Sequence, residues 1–116
     1  MTDLFAKFSE EFNSRNIAGL GQLFDSDVKV AQVFSEEPDF KSSEELMNAY
    51  KNLFEVNPGV KCDLLESQIN YSVGFGIFHF HGFKCGAQTW TSWNVKHDSG
   101  VYSEIKYLNN DKFGAS

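Results

Sequence analysis

One stretch, residues 70–108, constrains the fold more than any other because it mixes glycine with large aromatic residues. It contains NYSVGFGIFHFHGF, TWTSWNVK and VYSEIKYL, three strand-like runs joined by short turns. Since residues two apart in a strand share a face, Gly74, Gly76 and Phe78 lie on one side and His79 lies on the other. Glycine within a strand marks a bend or a close approach. The stretch therefore predicts a curved sheet whose glycine-bearing face is hollow, and we expect a pocket there.

The rest of the chain supplies helices and two more strands. Apolar residues recur at helical spacing in three segments of the N-terminal half. The third segment is preceded by Ser42, which has the spacing of a capping box with Glu45. The predicted helices cover about residues 3–15, 17–24 and 43–55, and the further strands cover 28–33 and 60–69. Residues 98–100 form the last hairpin turn. This order predicts one α+β domain over residues 1–116, with helices packed on one face of a curved antiparallel sheet.

The charge and the cysteines exclude several classes of partner. The net charge is −6, which argues against binding of nucleic acid because phosphate contacts need a basic face. There is no polybasic run for a membrane surface and no apolar run long enough to span a bilayer. Cys62 and Cys85 lack the spacing of a metal site. We therefore expect free thiols, a cytoplasmic location, and no nucleic-acid or membrane partner.

Three segments carry a resemblance to a known family. They are FNSRNIAGLGQLFDSDVKV, FKSSEELMNAYKNLF and the closing VYSEIKYLNND. Together they resemble the nuclear transport factor 2-like superfamily, in its SnoaL-like and ketosteroid-isomerase-like branch. The resemblance implies a cone-shaped α+β barrel (a cystatin-like fold) with a pocket between helices and sheet, and frequent pairing into dimers.

The resemblance also allows the isomerase chemistry to be tested residue by residue. That chemistry needs a carboxylate base and hydrogen-bond donors for an enolate oxygen. By this matching, Gln32 occupies the position of the base. Phe8 stands where the family has the helix tyrosine, and Thr91 stands where it has the second carboxylate. Tyr50 alone is retained, where the family has a supporting tyrosine. Classical ketosteroid isomerase activity is therefore not expected.

The same matching predicts which residues line the pocket. Thr89 and Val95 are expected to face inward on one strand and Val101 on the next. The predicted lining residues are Phe8, Phe12, Gln32, Tyr50, Phe54, Phe78, Phe80, Thr91, Trp93, Ser103, Ile105 and Tyr107. Glu36, Glu37 and Asp39 form a solvated loop that is a candidate for the rim. This mostly apolar wall with a few hydroxyls suits a small hydrophobic ligand. No catalytic residue, metal or cofactor is assigned.

The outward-facing side chains predict a second surface. They include Phe75, Ile77, His79, His81 and Trp90, together with Phe83, Tyr102 and Glu104. Such an aromatic outer face suits a self-complementary homodimer interface. The two histidines share a face, and a metal would need a third ligand, for which Glu104 is the candidate. An interface pair is the favoured interpretation. If the matching is off by one residue, His79 and Glu104 face the pocket as base and partner.

Three functions remain open at this point. The first is a pocket protein that binds a small apolar molecule without strong acid–base groups. The second is a lyase or isomerase of the cyclase or dehydratase kind, acting on a small hydrophobic substrate. The third is a non-catalytic interaction dimer whose pocket is plugged by its own aromatic side chains.

Overall fold

The computed structural model describes residues 3–110 and confirms the predicted order of helix, helix, strand, helix and four strands. The elements are α1 (Leu4–Asn13), α2 (Ile17–Gly21), β1 (Phe24–Gln32), α3 (Ser43–Val56), β2 (Lys61–Asn70), β3 (Val73–His81), β4 (Thr89–Asp98) and β5 (Val101–Asn110). α2 is shorter than predicted and β1 begins earlier. Glycine weakens a helix, and α2 ends at its second glycine, Gly21. Within the described residues, no helix is both long and apolar enough to cross a membrane.

Local capping and turn signals explain where the elements begin and end. The Asp3 carboxylate accepts a hydrogen bond from the Phe5 amide at 2.9 Å, and the Ser42 hydroxyl accepts one from the Glu45 amide at 3.2 Å. Each bond satisfies an amide that the helix leaves unpaired. In the last hairpin Ser99 and Gly100 have φ of 54° and 81°. Two successive positive φ values are typical of the tight turn that matches strand twist.

The five strands form one sheet in the order β1-β5-β4-β3-β2. The four strands from β2 to β5 pair antiparallel, as predicted. β1 instead pairs parallel with β5 at the edge of the sheet, and this differs from a purely antiparallel sheet. A parallel neighbour needs a long crossover. Here α3 and three strands lie between the two paired segments in the chain.

The glycine-bearing part of β3 is approached closely, as predicted, but it is not hollow. A Cβ atom added at Gly76 would lie 2.6 Å from Cδ1 of Phe5, and one at Gly74 would lie 3.1 Å from Cε2 of the same ring. The Phe5 side chain, carried by α1, is 0% exposed. The expectation that missing side chains leave a pocket at this position is therefore wrong, because α1 inserts a ring into the space.

A bulge in β5 changes which of its residues face the core. The β4–β5 register runs from Lys96 opposite Glu104 to His97 opposite Tyr102, with a shift between them. A bulge inserts one extra residue, so the alternation of faces is displaced beyond it. Tyr102, predicted to face outward, is 0% exposed in the core. Ser103, predicted to line the pocket, lies at the bulge and donates to the Lys96 carbonyl oxygen at 3.1 Å.

Candidate functional site

The inner face of the sheet is filled by aromatic rings where α1 crosses it. The Phe8 ring centroid lies 4.8 Å from that of Trp93 and 5.3 Å from that of Phe78. Phe8, Phe12 and Phe78 are completely buried. Edge and tilted contacts of this kind stabilise a core beyond the area they bury. This part of the interior is therefore a packed aromatic core, and Phe8 and Phe78 belong to it.

A cavity of about 360 Å³ remains at the other end of the same face. It lies between α3 and the region where β3 and β5 end and β4 begins. Six of the predicted lining residues border it: Phe12, Tyr50, Phe80, Thr91, Trp93 and Tyr107. The others that border it are Val30, Phe40, Leu46, Ala49, Leu53, Phe83, Thr89 and Asn109. The wall is mostly apolar, with hydroxyl and amide groups from the strand ends.

Six predicted lining residues lie elsewhere: Phe8, Gln32, Phe54, Phe78, Ser103 and Ile105. Ile105 is buried in the core. Phe54 packs on Phe12, with ring centroids 4.9 Å apart, and beneath the Arg15 guanidinium at 4.7 Å. Gln32 is exposed and pairs in register with Tyr107 at the edge of the sheet. None of the six is among the residues that line the cavity.

Two threonines of β4 line the cavity and differ in how their hydroxyl groups are paired. The Thr91 hydroxyl donates to the Asn109 side-chain oxygen at 2.7 Å. The Thr89 hydroxyl oxygen is buried, and within residues 3–110 no group is hydrogen-bonded to it. Buried polar atoms are nearly always paired in native proteins. The Thr89 hydroxyl oxygen is therefore an exception, a buried polar atom without a partner among these residues.

Two tyrosines add phenol groups that stay protonated at neutral pH. Burial raises the pKa of Tyr50 far above its usual value. Partial burial, and then the hydrogen bond that Tyr107 donates to the Asp39 carboxylate, raise the pKa of Tyr107. Both phenols therefore act as hydrogen-bond donors. Asp39 lies on the exposed loop between β1 and α3, the loop considered as a rim.

The cavity wall carries no proton-transfer group among the described residues 3–110 apart from these phenols. Carboxylates, imidazoles and amines are missing from its lining. The three departures from the isomerase pattern agree with this, because Phe8 is in the core, Gln32 is exposed and Thr91 bonds to Asn109. One carboxylate contacts a residue of the lining, because Asp39 accepts a hydrogen bond from the Tyr107 phenol.

Comparison with solved structures identifies the fold. A nuclear transport factor 2-like protein from Cytophaga hutchinsonii superposes with a TM-score of 0.74 at 12% identity, over 98% of this chain and 93% of that one. A candidate polyketide cyclase from Sinorhizobium meliloti gives 0.75 at 11%, over 93% and 95%. A protein with a ketosteroid isomerase-like fold from Catenulispora acidiphila gives 0.76 at 11%, over 93% and 85%.

This chain has the nuclear transport factor 2-like fold. The predicted fold class is confirmed by these superpositions. The sequence matches no protein-family model and no curated protein. Identities of 11–12% between chains that superpose this well show the fold alone. Within this nuclear transport factor 2-like fold, function depends on the particular side chains of the site.

Both histidines of β3 lie on the outer face, away from the cavity. The His79 ring stacks on Trp90 with centroids 4.4 Å apart and on His81 at 4.7 Å. The alternative in which a shift of one residue turns them into the pocket is therefore wrong. Glu104, the predicted third metal ligand, instead pairs with Lys96 at 3.2 Å.

Two aromatic residues that line the cavity, Phe40 and Phe83, are not predicted from the sequence. Alternation along β3 predicts an outward-facing Phe83, but Phe83 lines the cavity. The cause is Gly82, whose φ of 82° breaks the alternation after β3 ends at His81. Phe40 lines the cavity because its loop returns to pair with Val30 of β1. Gly82 is a usable signal in the sequence for Phe83, whereas no local signal predicts the position of Phe40.

Proposed function

We propose that this protein binds a small, largely apolar molecule in the cavity beside α3. The observation that carries the proposal is the cavity of about 360 Å³, whose lining is mostly apolar with a few hydroxyl and amide groups. Ligand sites are usually concave and apolar, with a few polar groups that fix orientation. Tyr50 supplies such a group here, and the Tyr107 phenol oxygen, whose proton is donated to Asp39, supplies an acceptor.

The structural comparisons support a small-molecule role for the site. The Catenulispora acidiphila protein was solved in complex with trimethylamine, so this fold admits small organic molecules. The lining of the present cavity is apolar along α3, through Leu46, Ala49 and Leu53. Since burial of apolar surface is the dominant driving force for such binding, an apolar ligand with one or two hydrogen-bonding groups fits best.

The test is to fill the cavity without disturbing the core. Phe78 is unsuitable because it lies in the aromatic core, whereas Ala49 projects from α3 into the cavity. We expect that phenols, naphthols and medium-chain alcohols raise the melting temperature of the wild type, because a ligand that binds only the folded state stabilises it. Ala49→Phe should abolish that rise. Asn48→Phe, at the exposed neighbouring position, is the matched control and should retain it.

Two results would contradict the proposal. The first is a wild-type protein whose melting temperature none of these compounds changes. The second is an Ala49→Phe variant that folds and responds as the wild type does, because the molecule then binds elsewhere. A crystal structure grown with the compound giving the largest rise would show the bound pose directly.

A second candidate function, catalysis of a cyclase, isomerase or dehydratase type, is favoured by one contact. The Asp39 carboxylate accepts a hydrogen bond from the Tyr107 phenol at the cavity mouth. A carboxylate and a phenol in contact are a base and an acid of the kind that moves protons between carbon and oxygen. If this function is correct, Asp39→Asn abolishes turnover of a bound substrate and leaves its binding intact. A turnover rate unchanged in Asp39→Asn would exclude this assignment.

We also propose that the protein forms a homodimer in which the outer face of the sheet packs against a second copy of the chain. This contact has no catalytic role. Phe75, Ile77 and Trp90 are half-buried there, and Val73 and Leu108 are 49% and 45% exposed. Apolar residues in such a patch are typical of interfaces. Light scattering after gel filtration should give twice the chain mass for the wild type. Ile77→Lys should give a monomer, while Lys51→Glu on exposed α3 should not.

A cytoplasmic location is part of the proposal and is supported by the cysteines. Cys62 and Cys85 are both free, the first buried and the second exposed. Free thiols persist where the environment is reducing. Fractionation of cells that make the tagged protein tests the location, and recovery from a secreted or membrane fraction would contradict it.

A further inference from the structure

The outer face of the sheet brings three potential metal ligands together, away from the cavity. Asp63 on β2 lies directly opposite His79 on β3, and His81 lies two residues further along β3. Side chains directly opposite one another have Cβ atoms roughly 4.5–5.5 Å apart. The ligating atoms of the three residues all lie within 4.8 Å of one another. His81 Nε2 is 2.7 Å from Asp63 Oδ2.

We propose that Asp63, His79 and His81 bind one divalent transition-metal ion, with water completing the coordination. Zn²⁺ binds imidazole nitrogen and carboxylate oxygen at about 2.0–2.2 Å, so ligand atoms around a tetrahedral ion lie about 3.3–3.6 Å apart. A bound ion would therefore draw the ligand atoms together from their observed spacing within 4.8 Å. Imidazole ligands favour Zn²⁺, Ni²⁺ or Cu²⁺ over Mg²⁺ and Ca²⁺, which prefer oxygen.

The neighbours of the two histidines hold their rings in position. The Gln88 side-chain oxygen lies 2.8 Å from His79 Nε2, and a carbonyl oxygen can only accept, so Nε2 carries the proton. The lone pair of His79 Nδ1 then remains for the metal. A second hydrogen bond that fixes the tautomer and orientation in this way is usual for histidine ligands. Trp90 stacks on His79 with an angle of 15° between the rings. The Gln88 and Trp90 contacts therefore pre-orient His79.

The surrounding charge sets the expected strength of binding. Lys61 is the direct partner of His81 in the β2–β3 register and is exposed. A nearby ammonium group opposes a bound cation, but on an exposed, flexible side chain the effect is screened. The carboxylate of Asp63 compensates for it. We expect binding in the micromolar range, and an ion that ties β2 to β3 on the face opposite the cavity.

The first test is a competition titration with Zn²⁺ and a chromophoric chelator, using the whole chain. The wild type should bind one ion per chain. Asp63→Asn and His81→Asn should each weaken binding at least tenfold, since each removes one of three ligands. Glu104→Gln removes a carboxylate on the same face that is paired with Lys96, and Cys85→Ser removes the exposed thiol. Both controls should bind within twofold of the wild type.

A second measurement needs no variant and decides the case if a variant fails to fold. Co²⁺ added to the wild type should give visible bands of a nitrogen and oxygen site, without the near-ultraviolet band of a thiolate ligand. A thiolate band would assign the ion to a cysteine and overturn the proposal. So would a wild type that binds no stoichiometric Zn²⁺, or an Asp63→Asn variant with unchanged affinity. The three ligands lie on the outer face that is also proposed to pair with a second copy, so the titration is repeated with Ile77→Lys and should again give one ion per chain. The outcome does not depend on whether the cavity binds a ligand.

Discussion

The two ends of the inner sheet face differ in how completely they are filled, and the difference is the reverse of what the side chains of β3 alone predict. At one end β3 carries glycines at 74 and 76, yet that end is closed because Phe5 fills the space. At the other end β3 carries Phe80, yet a cavity remains there. A gap in one element therefore becomes a cavity only if the element packed against it leaves it empty. α1 carries Phe5 to the glycine end, whereas α3 presents Ala49 to the open end.

The largest predicted difference between the two ends is in the cost of removing one ring. Phe5→Ala should lower the free energy of unfolding by about 3–5 kcal/mol, because a completely buried ring is replaced by a cavity. Phe80→Ala should cost only about 1–2 kcal/mol, since Phe80 is partly exposed and already borders a cavity. Urea denaturation of both variants measures the difference. Equal losses would mean that the open end is packed as tightly as the glycine end.

A somewhat smaller effect is expected from adding a methyl group at the glycine end. Gly76→Ala should destabilise by about 1–3 kcal/mol, because its Cβ would lie 2.6 Å from the buried Phe5 ring. Gly21→Ala is the matched control. Its Cβ would be 3.7 Å from Met47 Cγ, and alanine favours a helix, so that variant should be neutral or more stable.

The coupling between Gly76 and Phe5 gives an independent check of that prediction. In a Phe5→Leu background the cost of Gly76→Ala should fall, since the smaller side chain can yield. If the cost of Gly76→Ala is the same in both backgrounds, the glycine is required for the conformation of β3 and not for contact with α1.

Most of the fold could be predicted from local signals in the sequence. The Ser42 cap and the turn at residues 98–100 each act on their near neighbours, and both predictions are confirmed. The glycines of β3 correctly predict a close approach, but not the distant Phe5 ring that makes it. The open end could not be predicted in the same way. Its Phe83 depends on the positive φ of Gly82, and its Phe40 depends on a loop returning to β1. The predicted pocket lining is therefore half inside the cavity and half outside it.

The bulge in β5 shows the same limit. Strict alternation places Tyr102 outside, and no glycine or proline in VYSEIKYL marks the extra residue. The shift arises from pairing with β4 between Lys96 and His97, so it depends on two strands at once. The proposed metal site also depends on pairing. The histidines are visible in the sequence, but Asp63 joins them only through the β2–β3 register.

Within the open end, the two threonines of β4 should respond differently to the same change. Thr91→Val should cost about 0.5–1.5 kcal/mol, because it leaves the Asn109 side-chain oxygen without its donor. Thr89→Val should leave stability unchanged or raise it, because it removes a buried hydroxyl that has no partner to lose. Thermal unfolding measures both. A Thr89→Val variant as destabilised as Thr91→Val would show that the Thr89 hydroxyl is paired.

The last prediction concerns the chemical reactivity of the two cysteines and not the stability of a variant. Burial raises the pKa of the Cys62 thiol far above its usual value, and Cys62 is 0% exposed where β2 meets α1. The Ser9 hydroxyl and the Asn13 side-chain amide donate to its carbonyl oxygen, both at 2.8 Å, and hold the two elements together. Since the thiolate is the reactive form, Cys62 should react with a disulfide reagent only when α1 separates from β2.

Titration of the native protein with such a reagent should therefore show one fast thiol, the exposed Cys85, and one slow one. Phe5→Ala should speed the slow phase, because it weakens the packing of α1 on the sheet, while Ala49→Phe should leave it unchanged. Two fast thiols in the wild type would mean that α1 opens readily. The glycine end would then be a site that a ligand could enter by displacing Phe5, and the contrast between the two ends would disappear.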